Sequence, residues 1–194
     1  MEIKTIAIVG AGEMGCRIAC AAALAGFRTI LEDLSPPALE QGIAWIARAL
    51  GEEVSRGKIV AAARDVAIRN LSTADSAEAV SREADLIVET VSDEIEMKLE
   101  LFTIFDKFAK PGAIFASTTV SLSITELAAV TFCPERCIGM RFFTDAQHAE
   151  RLELVKGRET SEETIAACRE VGRRMGKAIS VLSDEQVMSA STGD

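Results

Sequence analysis

Short apolar runs alternate along the chain with longer stretches in which apolar residues return every third or fourth position. The runs over residues 3–9, 29–31, 68–71, 85–91, 113–116, 138–143, 152–155 and 178–182 predict strands. Helical spacing predicts helices over 16–25, 38–54, 58–64, 93–110 and 161–175, with further helices opening after the polar turn 72–75 and at Ser123. Pro36-Pro37 favours the start of the second helix, Gly51 predicts a bend or restart within it, and Ser123-Ile-Thr-Glu126 has capping-box spacing. Strands alternating with helices call for an α/β fold, a doubly wound, mostly parallel sheet flanked by helices. Residues 1–183 read as one domain and 184–194, polar and weakly periodic, as a tail.

Ligands of such sheets sit at the carboxyl ends of the strands. The first run ends directly on Gly10-Ala-Gly-Glu-Met-Gly15, which is G-x-G-x-x-G where a strand should hand over to a helix. Gly10 permits the tight turn, Gly12 lets the backbone approach a pyrophosphate, and Gly15 lets the helix lie close on the strand. With Glu13 and Met14 they form the expected cradle, at a helix N-terminus whose free N–H groups and partial positive charge suit phosphate. Asp33, 18 residues after Gly15, closes the second strand as the expected partner of a ribose diol. The whole unit predicts a Rossmann-type fold with NAD as cofactor. Asp33 repels a 2′-phosphate, and Leu34-Ser35-Pro36-Pro37 brings no Arg to receive one. The plainer alternative is a glycine turn in an α/β domain that binds no nucleotide.

Composition narrows the partners. At 194 residues and 48% apolar the chain can bury a sizeable core. A net charge of −9 without a long basic run excludes nucleic acid and anionic membrane as natural partners. No apolar stretch reaches the ~18–20 residues of a membrane span, and the N-terminus lacks a signal-peptide pattern, so a cytoplasmic location is expected. The cysteines at 16, 20, 133, 137 and 168 read as reduced, mostly buried thiols, and with His148 the only histidine no metal site is expected.

With these motifs in this order, the sequence resembles the NAD-binding domain of the 3-hydroxyacyl-CoA dehydrogenases from about residue 4 to about residue 182. Besides the glycine turn, the likeness is carried by Val54-Ser-Arg-Gly-Lys58, Asp85-Leu-Ile-Val-Glu-Thr-Val91, Pro111-Gly-Ala-Ile-Phe-Ala-Ser117, Ser121-Leu-Ser-Ile-Thr-Glu-Leu127, Pro134-Glu-Arg-Cys-Ile-Gly-Met140 and Leu152-Glu-Leu-Val-Lys-Gly157. It implies an oxidoreductase of fatty acid metabolism, a ligand contact at Asp93, a nicotinamide-ribose contact from Lys98, and substrate-side positions at Lys58, Val120 and Thr144. In the family a His opens a His-Phe-Phe-Asn-Pro stretch and takes the proton of the substrate's 3-hydroxyl, and a Glu twelve residues later orients it. Here Arg141 stands at the His position while Glu153 keeps the partner position. Thr118 and Thr144 replace Asn, and Val120 replaces Ser. A guanidinium stays charged at any working pH and cannot serve as the base. Loss of a positioned base should slow the reaction roughly 10²–10⁴-fold. Arg141 and Glu153 are expected to form an ion pair, and His148 to be a solvated surface side chain. The family continues into a helical domain that dimerises and closes over the acyl-CoA. Residues 184–194 break that pattern, so no C-terminal helical domain is expected, and the face it would cover suggests a homo-oligomer or a partner subunit.

Three functions stay open on the sequence. One is an NAD-dependent oxidoreductase for 3-hydroxyacyl-CoA whose standalone activity is lost or altered. A second is a catalytically silent NAD-binding sensor or assembly subunit. The third is a dehydrogenase for a carboxylate substrate, or another small molecule, that uses Arg141.

Overall fold

The computed structural model describes residues 2–144 and 150–191. Eight strands form one sheet in the order β3-β2-β1-β4-β5-β6-β7-β8. They are β1 (Thr5–Val9), β2 (Arg28–Glu32), β3 (Leu71–Ala74), β4 (Leu86–Glu89), β5 (Ile114–Ser117), β6 (Cys137–Thr144), β7 (Glu150–Lys156) and β8 (Ala178–Ser183). The first six run parallel; β7 pairs antiparallel with β6, and β8 parallel with β7. The helices are α1 (Glu13–Leu24), α2 (Pro36–Ser55), α3 (Ala61–Asn70), α4 (Ala77–Glu83), α5 (Ile95–Phe108), α6 (Ile124–Ala128), α7 (Glu162–Arg174) and α8 (Asp184–Ser191).

The central strands are apolar on both faces, as a sheet covered on both sides requires. Alternation along β1 divides the core: Ile6 and Ile8 face the layer of α1, α2 and α7, whereas Ala7 and Val9 face α4, α5 and α6. Because β3-β2-β1 build outwards from one side of β1 and β4-β5-β6 from the other, the strand order reverses between β1 and β4. The carboxyl ends on either side of that switch point frame a crevice.

The predicted elements are present with three differences. First, α2 runs unbroken through Gly51, because Ile46 and the adjacent Leu50 are fully buried and hold the helix against the core up to that half-buried position. Second, helix α3 begins at Ala61 and continues to Asn70, where a short helix over 58–64 and a strand over 68–71 were predicted. Ala67 buries against the core and Asn70 donates to the carbonyl of Ala23 at 3.3 Å, so tertiary contacts extend the helix and move β3 to Leu71–Ala74. Third, a polar tail from 184 is not what forms: residues Asp184–Ser191 are helix α8. Asp184 is 6% exposed and its carboxylate accepts from Ser123 Oγ at 2.5 Å and from the N–H groups of Ile124 and Thr125 at 3.0 Å each. It caps α6 from outside that helix, and buried Val187 fastens α8 to the sheet. No helix among the described residues is long and apolar enough to cross a membrane.

Candidate functional site

The turn after β1 has the properties its glycines suggested. Gly10 takes φ +107°, and its N–H donates to the carbonyl of Glu32 at 2.8 Å, tying the turn to the end of β2. A Cβ on Gly15 would lie 1.9 Å from the carbonyl oxygen of Gly10, so helix and turn are in direct backbone contact. At Gly12 the reverse holds: φ is −69°, an ordinary value, and a Cβ would meet nothing within 4 Å. No side chain caps α1, so its first N–H groups face that open space without an acceptor among the described residues. Asp33 sits beside it, fixed by the N–H groups of Ala11 and Ser35, each 2.8 Å from a carboxylate oxygen. Glu13 and Met14 are exposed at the same end of the helix.

Sheet register brings the other residues to this level. Val9 pairs with Glu89, Glu89 with Ser117 and Ser117 with Gly139. Arg141 therefore stands two residues past the same rung that Ala11, Val91 and Thr119 overshoot. Beneath that edge lies a buried ionic cluster. Lys98, fully buried, donates from Nζ to both oxygens of Glu89 at 2.7 and 2.8 Å and to the carbonyl of Val91 at 3.1 Å, and pairs with Asp93 at 3.2 Å. Glu89 also accepts from Ser117 Oγ at 2.7 Å. Asp93 in turn accepts from Thr119 Oγ1, Ser121 Oγ and the N–H of Val120 at 3.0, 2.9 and 3.2 Å. Burial pushes the Asp93 carboxyl up, but these hydrogen bonds and the Lys98 charge outweigh it and hold it below the usual range.

Lys98 has no exposed surface, and its Nζ is engaged by Glu89, Asp93 and the carbonyl of Val91. It bridges two carboxylates that fix the loop 117–122. Glu89 and Thr119, which sequence reasoning did not single out, are as central as Asp93. The available signal was an acid inside the otherwise apolar strand Leu86–Glu89, because a charge there demands a partner.

Arg141 and Glu153 face each other across the β6–β7 ladder, as their spacing implied. The expected ion pair is not made. Arg141, 7% exposed, donates from Nε to the carbonyl of Thr119 at 2.8 Å, and its buried Nη2 has no acceptor among the described residues. Burial lowers its pKa, while Glu153, Asp184 and Asp93 raise it through space. Val120, 57% exposed, lies in the loop above the Asp93 carboxylate. Thr144 ends β6 opposite Glu150. His148 lies outside the described residues.

A groove of about 810 Å³ opens on the α1 side of β6 and β7, lined by Met14, Trp45, Phe142, Phe143 and Met175 among others, with Arg17, Arg151, Arg174 and Lys177 around it. Lys58 is not at the sheet edge. It follows α2 and pairs with Glu53 at 3.3 Å; Glu53 itself lines the groove. Among the described residues no group of His, Cys, Asp and Glu could hold a metal ion.

Comparison with known proteins decides the family. Residues 5–185 match the family model described as 3-hydroxyacyl-CoA dehydrogenase, NAD binding domain. The chain belongs to the 3-hydroxyacyl-CoA dehydrogenase family. Within it, the chain is 36% identical over 184 residues to the "Probable 3-hydroxybutyryl-CoA dehydrogenase" of Bacillus subtilis strain 168, covering 95% of this chain and 64% of that protein. It is 37% identical to the 3-hydroxybutyryl-CoA dehydrogenase of Bradyrhizobium diazoefficiens, covering 94% and 62% respectively. The crystal structure of 3-hydroxybutyryl-CoA dehydrogenase from Escherichia coli K12 superposes with a TM-score of 0.90 at 32% identity, over 95% of this chain and 39% of that one. The chain thus spans just under two thirds of the length of these two curated dehydrogenases. NAD is the cofactor of this family's domain. The open space at Gly12, the uncapped start of α1 and the fixed Asp33 carboxylate all suit it.

Proposed function

We propose that this chain is the NAD-binding half of an oxidoreductase of the 3-hydroxyacyl-CoA class that lacks its own general base. The observation that carries the cofactor assignment is the Gly12 opening at the uncapped N-terminus of α1, flanked by Asp33. The backbone N–H groups of Gly12, Glu13, Met14 and Gly15 would hold the pyrophosphate, with Gly10 making the turn that presents them, and Asp33 would hold the adenosine ribose. Asp93 and Lys98 shape the nicotinamide end by fixing the loop 117–122. NAD, when bound, supplies the hydride acceptor. The groove beside Phe142 and Phe143, apolar within and carrying Arg17, Arg151, Arg174 and Lys177 against Glu53 and Glu150 at its rim, suits an acyl chain with an anionic carrier, and Lys58 lies towards its Glu53 end. Its open face also suits a second copy of the chain or a partner subunit. The five free cysteines agree with a reducing, cytoplasmic compartment.

Arg141 favours a second reading, a binding protein that does not turn over. A charged guanidinium accepts no proton from a hydroxyl. Acetoacetyl-CoA-dependent oxidation of NADH separates the two readings. With wild type the expected rate is small, and Arg141→His combined with Thr144→Asn should raise it by one to two orders of magnitude. A wild-type rate already matching the double variant would show that another group supplies the proton and would sink the account of Arg141.

A further inference from the structure

Arg141 poses a problem that the family reading leaves unsolved. Strand β6 carries the side chain to the carboxyl edge of the sheet, where its Nε is spent on the carbonyl of Thr119. The Nη2 nitrogen is buried and has no acceptor among the described residues. Leaving a charged donor unmatched is costly, so such an atom demands an explanation. The nearby acids do not provide one. Asp93 is engaged by Lys98, Thr119, Val120 and Ser121, and Asp184 by Ser123, Ile124 and Thr125. Glu153 faces Arg141 in register but makes no ion pair with it.

We infer that Arg141 is the receptor for the carboxylate of a small 3-oxo or 3-hydroxy acid, so that the position given elsewhere to a proton acceptor here recognises an anion. This deepens the reading of the sheet edge as an oxidoreductase site and rests on it. Three observations define the ligand class. The planar guanidinium presents N–H donors in the fork that a carboxylate matches. Glu153, Asp184 and Asp93 all act on it through space, so a carboxylate monoanion meets less repulsion there than a phosphate dianion would. Val120, where a hydroxyl is implied, offers the remainder of a short substrate an apolar neighbour.

Calorimetry with acetoacetate and acetoacetamide, equal in skeleton and differing in charge, tests this without a variant. Titrations are run on the protein alone and again with saturating NADH. Acetoacetate should bind at least tenfold more tightly than the amide in the NADH-bound protein. Arg141→Met should erase that preference, Arg141→Lys should keep part of it, and Glu153→Gln should strengthen acetoacetate binding several-fold by removing a competing carboxylate. Equal affinities in wild type, no saturable binding of either probe, or a preference that survives in Arg141→Met overturns the assignment. Should Arg141→Met fail to fold, the wild-type comparison decides alone. Failure of NADH itself to bind would instead strike the cofactor reading, and the titration of the protein alone then reports on Arg141 independently.

Discussion

Glu32 offers a stability test that depends on its charge state. It ends β2, pairs with Val9 and Ala74 on either side, and is only 2% exposed, with Oε1 lacking any hydrogen-bond partner among the described residues. Burial, then the charges of Asp33, Glu78 and Asp75, push its carboxyl from 4.5 up to about 7. The folded state therefore holds this proton more tightly than the unfolded chain does. Its contribution is fully present below the unfolded value of 4.5 and is lost as pH rises through about 7. A difference of this size is worth about 3 kcal/mol. For a domain of this length that is roughly 6–12 °C in melting temperature. The perturbation is Glu32→Gln, which keeps the shape and removes the titration. Thermal melts of both proteins are recorded by circular dichroism at pH 5, 6, 7 and 8. The variant should match wild type to within about 1 kcal/mol at pH 5 and become the more stable protein by pH 8. Asp85, Asp93 and Asp184, whose carboxyls are held below the usual range, stay ionised throughout that window and leave the difference untouched. Parallel melting curves across pH 5–8 would refute the reasoning, because they would mean that Glu32 ionises without penalty.

Two further perturbations address the scaffold of the site. Lys98→Met removes the cation that bridges Glu89 and Asp93 and should cost about 3–5 kcal/mol in urea unfolding, with Glu89→Gln in the same chain recovering part of it. A loss under about 1 kcal/mol would show that the two carboxylates do not need the lysine. Asp184→Ala uncaps α6 and should cost about 1–2 kcal/mol at pH 7. Because the Asp184 carboxyl is held below 3.8, its contribution is full above that value and fades as pH falls through the lowered one. A penalty that persists unchanged at pH 2.5 would point to lost packing of α8 rather than to the cap.

What the sequence made legible was whatever local rules control. The unit from β1 to Asp33 could be read because the glycine spacing, the apolar runs and the closing acid are all short-range patterns. The same holds for the Ser123 cap, which forms. Contacts between distant segments were less visible. Helix α2 passes through Gly51 because the buried contacts of Ile46 and Leu50 just before it outweigh one residue's propensity. Helix α8 forms because Asp184 finds the start of α6 some sixty residues earlier in the chain. Arg141 and Glu153 were placed correctly opposite each other by their spacing, but their non-contact is set by Thr119, which draws Nε to its own carbonyl. The resemblance gives Lys98 a ligand contact, and its burial as a bridge between Glu89 and Asp93 is a tertiary feature that the sequence did not display.

The central claim is that NAD is held over Gly12, and the open space there allows a sharp test. Since φ is −69° and a Cβ would touch nothing within 4 Å, Gly12→Ala should fold as wild type does, with its melting temperature changed by no more than about 2 °C. The added methyl occupies the approach to the uncapped helix end that the pyrophosphate needs. NADH fluorescence titrations of the two proteins should show saturable binding in wild type and affinity at least tenfold weaker in Gly12→Ala. Equal affinity in a variant of unchanged stability, or no binding of NADH to wild type at all, would contradict the account.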